Sequence, residues 1–201
     1  MSERVSRTEN SEILLNIEKL RDIIEQTDLR FFLDALSQVD IPGSYIVGGA
    51  VRNTVWKYMF PDSTLKVNDI DVPYFSLDLP PSADDKFDRA LEVLYPDYPW
   101  ECANQANVHE YDRVDDPWVM PNAPYSSLED SMLDFWFSVN RIGVRYDDSG
   151  ELQVLNPGDL TDLFAGILRV LPNQLNNPYQ WFEDKISKIT DACPQITVIR
   201  Q

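Results

Sequence analysis

Ser44-Tyr45-Ile46-Val47-Gly48-Gly49-Ala50-Val51-Arg52-Asn53, followed at 68–72 by Asn-Asp-Ile-Asp-Val, carries the strongest local pattern in the chain. Tyr45-Ile46-Val47 is a short apolar run of the kind a buried strand makes. Gly48-Gly49 interrupts it, and Ala50 to Tyr58 then reads as a helix with Val51, Val55 and Tyr58 on one face. A strand, a glycine turn and a helix start present bare backbone N–H groups to an anion. The same two glycines also suit a tight turn that binds nothing. Val67 to Phe75 reads as a second strand, with Asp69 and Asp71 on one face because side chains alternate along an extended chain. Two carboxylates side by side repel unless a cation lies between them. The bland alternative is a solvated strand end with Asp69 capping a turn. A phosphate cradle beside a carboxylate pair supplies the parts for handling a nucleoside triphosphate with magnesium.

Composition narrows the partners. The 201 residues suit one domain spanning 1–201, and 43% hydrophobic content is enough for a core. Seventeen basic against 34 acidic residues leave a net charge of −17. Such a surface repels nucleic acid, whose binding rests on neutralising phosphates with Lys and Arg. A long polynucleotide is therefore disfavoured, whereas a small nucleotide needs only a few local cations. Arg52, Lys57 and Lys66 surround the glycine motif, with Asp62 the acid among them before Asp69. Cys102 and Cys193 cannot make a four-ligand metal site and suggest no disulfide framework. A lone His109 excludes sites needing two imidazoles. No membrane span or signal peptide is legible, so a cytoplasmic location is expected.

Along the chain, 1–10 reads as disordered and 11–40 as a helical pair. Ser11 to Gln26 has Ile13, Ile17, Leu20 and Ile24 on a stripe. Asp28 to Val39 has Leu29, Phe32, Leu33 and Leu36 inward, with Asp28 as N-cap. Asp84 to Tyr95 reads as a helix on Phe87, Ala90, Leu91 and Leu94. Trp100 to Tyr111 reads as a strand with Glu101, Ala103, Gln105, Asn107 and His109 on one face. Asp112 to Tyr125 reads as a loop or lid. Ser126 to Glu129 forms a capping box opening a helix to Val139. Arg141–Tyr146 and Leu152–Leu155 make a hairpin, Leu160–Phe164 a helical turn and Pro178–Asp191 a final helix.

Gly48 to Arg52 with Asp69-Ile70-Asp71-Val72 resembles the nucleotidyltransferase signature of the DNA polymerase β superfamily, in the form found in CCA-adding enzymes. A longer set of matches resembles the DUF925 nucleotidyltransferase-like family. It comprises Val51 to Trp56, Asn68 to Val72, Asn104 to His109, Gly143-Val144-Arg145 and Asp162-Leu163-Phe164. The fold expected is α/β (α+β): a small, mixed, twisted sheet of about five strands covered by helices. The resemblance also implies a metal site, with Asp69, Asp71 and Glu101 as catalytic carboxylates and ligands of Mg2+ or Mn2+. Trp100-Glu101-Cys102 is the local form of the superfamily's third carboxylate, although a glutamate after a tryptophan is also a common surface feature. Gly48, Gly49, Arg52, Asn53 and Lys66 are the expected nucleotide-binding residues.

Two departures stand out. Asn53 replaces the aspartate that CCA-adding enzymes usually carry beside the arginine, and the interval to Asp69 is longer, with 60–64 as an insertion. Arg52 suits a fork onto a triphosphate, or a surface ion pair. Asn104, Gln105 and Asn107 either bond a base or sugar or rim the sheet. Arg145 and Asp162 match the family without an evident mechanism, and pairing with each other is one reading. The activity implied is in-line transfer of a nucleotidyl group from a nucleoside triphosphate to an unidentified acceptor hydroxyl. The alternatives are a catalytically silent nucleotide-binding or protein-interaction module, and, by fold analogy alone, a phosphotransfer toxin or antitoxin partner.

Overall fold

The computed structural model describes residues 2–110, 124–174 and 180–200. β1 (Ile70–Tyr74) and β2 (Trp100–Asn104) pair in parallel, with α4 (Asp84–Leu94) as the crossover between them. On the other side of β1 the stretch Tyr45–Val47 runs antiparallel. The Tyr45 N–H donates to Pro73 O at 3.3 Å and the Val47 N–H to Asp71 O at 3.1 Å. Its far edge exchanges two hydrogen bonds of 2.9 Å between Ile46 and Val144. Val144 belongs to β3 (Gly143–Tyr146), which makes the expected hairpin with β4 (Leu152–Leu155). The result is a mixed sheet in the order β2, β1, Tyr45–Val47, β3, β4. A small mixed sheet was expected; its strand order was not. A separate parallel ladder joins β5 (Ile167–Val170) to β6 (Thr197–Arg200), through α7 (Gln180–Ala192). No sequence signal had indicated β6.

Apolar stripes cover one face of this sheet. Ile46, Ile70, Val72, Tyr74, Trp100 and Val144 are buried there among the residues of α1 (Ser2–Glu25), α2 (Leu29–Ser37) and α3 (Gly48–Met59). Leu29, Phe32, Leu33 and Leu36 of α2 all face inward as expected. The fully buried Trp56 ties α3 to α6 (Leu160–Ala165), its indole N–H donating to Leu163 O at 2.8 Å. Burying side chains of this size is worth about 1.5–3 kcal/mol each, which sets the sheet against its helices.

Several local expectations are corrected. Tyr58 is 43% exposed, because α3 is enclosed between sheet and α6 and its inner face runs through Ala50, Val51, Val55 and Trp56. In α4 Leu91 is the buried residue and Leu94 lies outside. Asp28 stands at the N-cap of α2 but its side chain caps nothing, since its backbone is already helical. β2 stops at Asn104, whose amide accepts from Ser76 N and donates to Ser76 O and Leu79 O. Asn107 and His109 are therefore off the strand, and Asn107 Nδ2 donates to Leu79 O. The helix opened by Ser127, whose hydroxyl accepts from Asp130 N, is short (α5, Leu128–Met132). A separate 3-10 turn follows at Ser138–Asn140, and burial of Phe137 and Val139 holds it against the core. The segment read as a lid lies almost wholly outside the described residues.

Candidate active site

The face of the sheet opposite the helices carries the acids. Alternation along β1 puts Ile70, Val72 and Tyr74 under the helices and turns Asp71 to the other side. Register then places Glu101 of β2 directly across from Asp71. Val47, opposite Asp71 on the other flank, leads straight into Gly48, where the chain turns with φ +66 and α3 begins. The approach at this turn is close. A Cβ on Gly48 would lie 2.5 Å from Asp71 Oδ2, and one on Gly49 would lie 3.9 Å from both Asp69 Oδ1 and Arg52 Nη2. The two carboxylates thus converge on the N-terminus of α3. Among the described residues no hydrogen bond reaches either of them.

The charges explain what this arrangement lacks. Burial, then Asp69, then Glu101 push the Asp71 carboxyl up to about 7. The Arg52 guanidinium is buried too, and burial lowers its pKa to about 10 while Asp71 and Asp69 pull it back up. Its Nε donates to Asn53 Oδ1 at 2.9 Å and Nη1 to Asn140 Oδ1. Asn53 in turn donates to the Lys66 backbone carbonyl at 2.8 Å. Asn53 is therefore bonded at both ends within the protein, and the part of Lys66 that joins this network is its carbonyl. Among the described residues no three His, Cys, Asp or Glu side chains are already gathered as a metal shell. Asp69 and Asp71 nevertheless fit a divalent cation: they are like charges with no hydrogen-bond donor, and a bound ion relieves their repulsion.

Two residues of this site had no legible signal. Asn140 fixes the Arg52 fork, and it lies 88 positions away in sequence. It is held in place through Asp162, which accepts from Ser138 Oγ at 2.7 Å and is clamped by Arg169 through two bonds of 2.7 Å. Asp162 thus pairs with Arg169 and not with Arg145, because α6 and β5 are adjacent while β3 lies across the sheet. Lys185 of α7 sits with its ammonium 5.0 Å from the Trp136 ring and within electrostatic reach of Arg52, Asp71 and Asp69. Neither residue belongs to a motif.

The Asp71 environment gives a pH dependence of known sign. An aspartate in the unfolded chain loses its proton near 3.8, whereas folded Asp71 keeps its proton to about 7. Between those values the folded state holds more protons, so stability falls as pH rises through the window. In EDTA, the melting temperature of the wild type should therefore fall more steeply from pH 5 to 7.5 than that of Asp71→Asn. Equal slopes would show that Asp71 is not perturbed.

Comparisons with known proteins bear on the fold and the family. One solved structure, an NMR structure described as revealing a CCA-adding enzyme head domain, shares the fold at a TM-score of 0.70 and 21% identity. The match covers 92% of this chain and 96% of that one. A CCA-adding enzyme in complex with CTP matches at a TM-score of 0.50 and 17% identity, over 90% of this chain and 43% of that enzyme. No curated protein matches the chain. The family profile described as nucleotidyltransferase matches residues 34–198, which takes in the glycine turn, both aspartates, Glu101, β5 and the first two residues of β6. With most of its length under that profile and the fold of a CCA-adding enzyme head domain, the chain belongs to the nucleotidyltransferase family.

Proposed function

We propose that the chain transfers a nucleotidyl group from a nucleoside triphosphate to the hydroxyl of an acceptor other than a long nucleic acid, with Mg2+ or Mn2+ as cofactor. The convergence of Asp69 and Asp71 on the Gly48–Gly49 turn carries this reading, since it sets carboxylates and unpaired helix amides around one point. Asp69 and Asp71 would hold the ion, with Glu101 as a third ligand from the neighbouring strand. Once bound, the ion would neutralise phosphate charge and lower the pKa of the attacking hydroxyl.

The rest is work for the chain's own groups. The amides opening α3 cradle phosphate oxygens, and Arg52 offers them a fixed fork. Because Asn53 and Asn140 already orient that fork, little reorganisation is needed when substrate arrives. Asn53 acts by positioning Arg52, and Lys66, whose carbonyl holds Asn53, is the further cation we assign to nucleotide binding. The CTP bound to the similar CCA-adding enzyme supports a nucleoside triphosphate as the donor. The net charge of −17 argues for a small or protein acceptor. No helix among the described residues is long and apolar enough to cross a membrane. Cys102 and Cys193 are free and buried, which suits the reducing cytoplasm.

The test is release of pyrophosphate from ATP, CTP, GTP or UTP in the presence of magnesium and a panel of hydroxyl acceptors. Binding without release across the panel would favour the silent nucleotide-binding module. Glu101→Gln addresses the third ligand. Magnesium should bind about tenfold more weakly, an effect of about 1.4 kcal/mol, with the melting temperature in EDTA little changed. An unchanged magnesium affinity removes Glu101 from the site.

A further inference from the structure

The motif Gly143-Val144-Arg145 lies outside the site as described, yet alternation along β3 places Gly143 and Arg145 on the same face as the acids. Ile46 and Val144 are antiparallel partners, so Tyr45 lies opposite Arg145, and Arg145 lies opposite Gln153 of β4. Tyr45 is also the neighbour of Pro73, two residues along β1 from Asp71. Standard sheet spacings set the Arg145 and Asp71 Cα atoms about 12 Å apart, close enough for one small molecule to touch both. Gly143 makes the arrangement possible. A Cβ there would lie 3.0 Å from Tyr45 Cβ and 3.2 Å from Tyr45 Cδ1. The bare backbone thus lets the Tyr45 ring lie across β3, and the Arg145 guanidinium sits 5.1 Å from the centre of that ring.

Arg145 differs from its counterparts. Arg52 is bonded to two asparagines, Arg141 to Asp159 and Arg169 to Asp162. Arg145 has its Nε buried from solvent with no hydrogen-bond partner among the described residues, in a chain with 34 acids for 17 bases. The nearest acid in sequence, Asp147, is taken: it accepts from Ser149 N, Ser149 Oγ, Glu151 N and Gln153 Nε2. A buried donor left unmade destabilises the fold, so keeping it has a use elsewhere. We infer that Arg145, seated on Tyr45, binds an anionic oxygen group, phosphate or carboxylate, of the acceptor. This inference rests on the nucleotidyl-transfer reading for the word acceptor. The glycine turn lies at the opposite end of the Tyr45–Val47 stretch from Tyr45. In an in-line displacement the attacking group likewise lies opposite the departing pyrophosphate.

The experiment leaves out nucleotide and metal, so its outcome is separate from that of the metal site. Labelled protein is titrated with inorganic phosphate and with acetate at constant ionic strength, following the Arg145 Nε–Hε resonance and the Tyr45 ring. The expected result is a saturable shift of both signals. A response selective for phosphate identifies a phosphorylated acceptor, and one selective for acetate a carboxylate. Arg145→Gln should weaken binding at least tenfold, and Tyr45→Leu, which keeps the charge but removes its seat, several-fold. Signals that stay still with both anions overturn the inference. So does anion binding of wild-type strength in Arg145→Gln, which would place the anion at the glycine turn.

Discussion

Asp69→Asn/Asp71→Asn should abolish the response to magnesium or manganese while leaving the fold intact. In the wild type each cation bound as proposed would relieve the repulsion of two carboxylates that converge on the α3 N-terminus with no hydrogen-bond donor among the described residues. A ligand that binds only the folded state stabilises it by about 2.7 kcal/mol at a hundred times its Kd. In a chain of 201 residues that corresponds to a rise in melting temperature of about 5–10 °C. The double variant should show no such rise, and nucleotidyl transfer should fall by about a thousandfold or more, since the charge neutralisation at the phosphates is lost. Its melting temperature in EDTA should equal or exceed that of the wild type, because the buried Asp71 carboxyl no longer has to ionise beside Asp69 and Glu101. A metal-dependent rise that survives in the double variant would show that the cation binds elsewhere.

The second large effect separates two adjacent glycines. Gly48→Ala puts a side chain on a residue with φ +66 and a Cβ 2.5 Å from Asp71 Oδ2. The backbone strain alone is about 1–2 kcal/mol, or roughly 2–8 °C in melting temperature. The aspartate must also swing away, so the magnesium response should vanish and transfer should fall by at least about a hundredfold. Gly49→Ala is the control. Its nearest neighbours would lie at ordinary contact distances of 3.7–3.9 Å, within the first turn of a helix. Alanine is the better helix former by about 1 kcal/mol, so Gly49→Ala should keep its stability and its magnesium response. If the two variants behave alike, the pair is a permissive turn and not a fitted cradle.

Much of this could be read directly. The apolar run at Tyr45–Val47, the glycine pair and Asp71 specified an extended segment, a turn, a helix and a second strand, because the 2.0 and 3.6 residue periods are local properties of the backbone. The strand expected over Val67–Phe75 begins only at Ile70, so Asp69 lies just before it. The α2 stripe and the β3–β4 hairpin were legible for the same reason.

What stayed hidden depends on contacts between distant segments. No period in the sequence says that Asn104 will turn the chain by bonding Ser76 and Leu79, which ends β2 before Asn107 and His109. Nor does any local pattern reveal that α3 is enclosed on two sides, which buries Arg52 and leaves Tyr58 in solvent. The residues that orient Arg52 come from a 3-10 turn held by an Asp162–Arg169 clamp, and Lys185 arrives on the last helix. The sequence by itself determined which chemical groups are present and which face of each element they occupy. The tertiary structure alone decided which of them come together at the start of α3, and there burial and neighbouring charges, properties of three-dimensional packing, set the charge on Asp71 and the partners of Arg52.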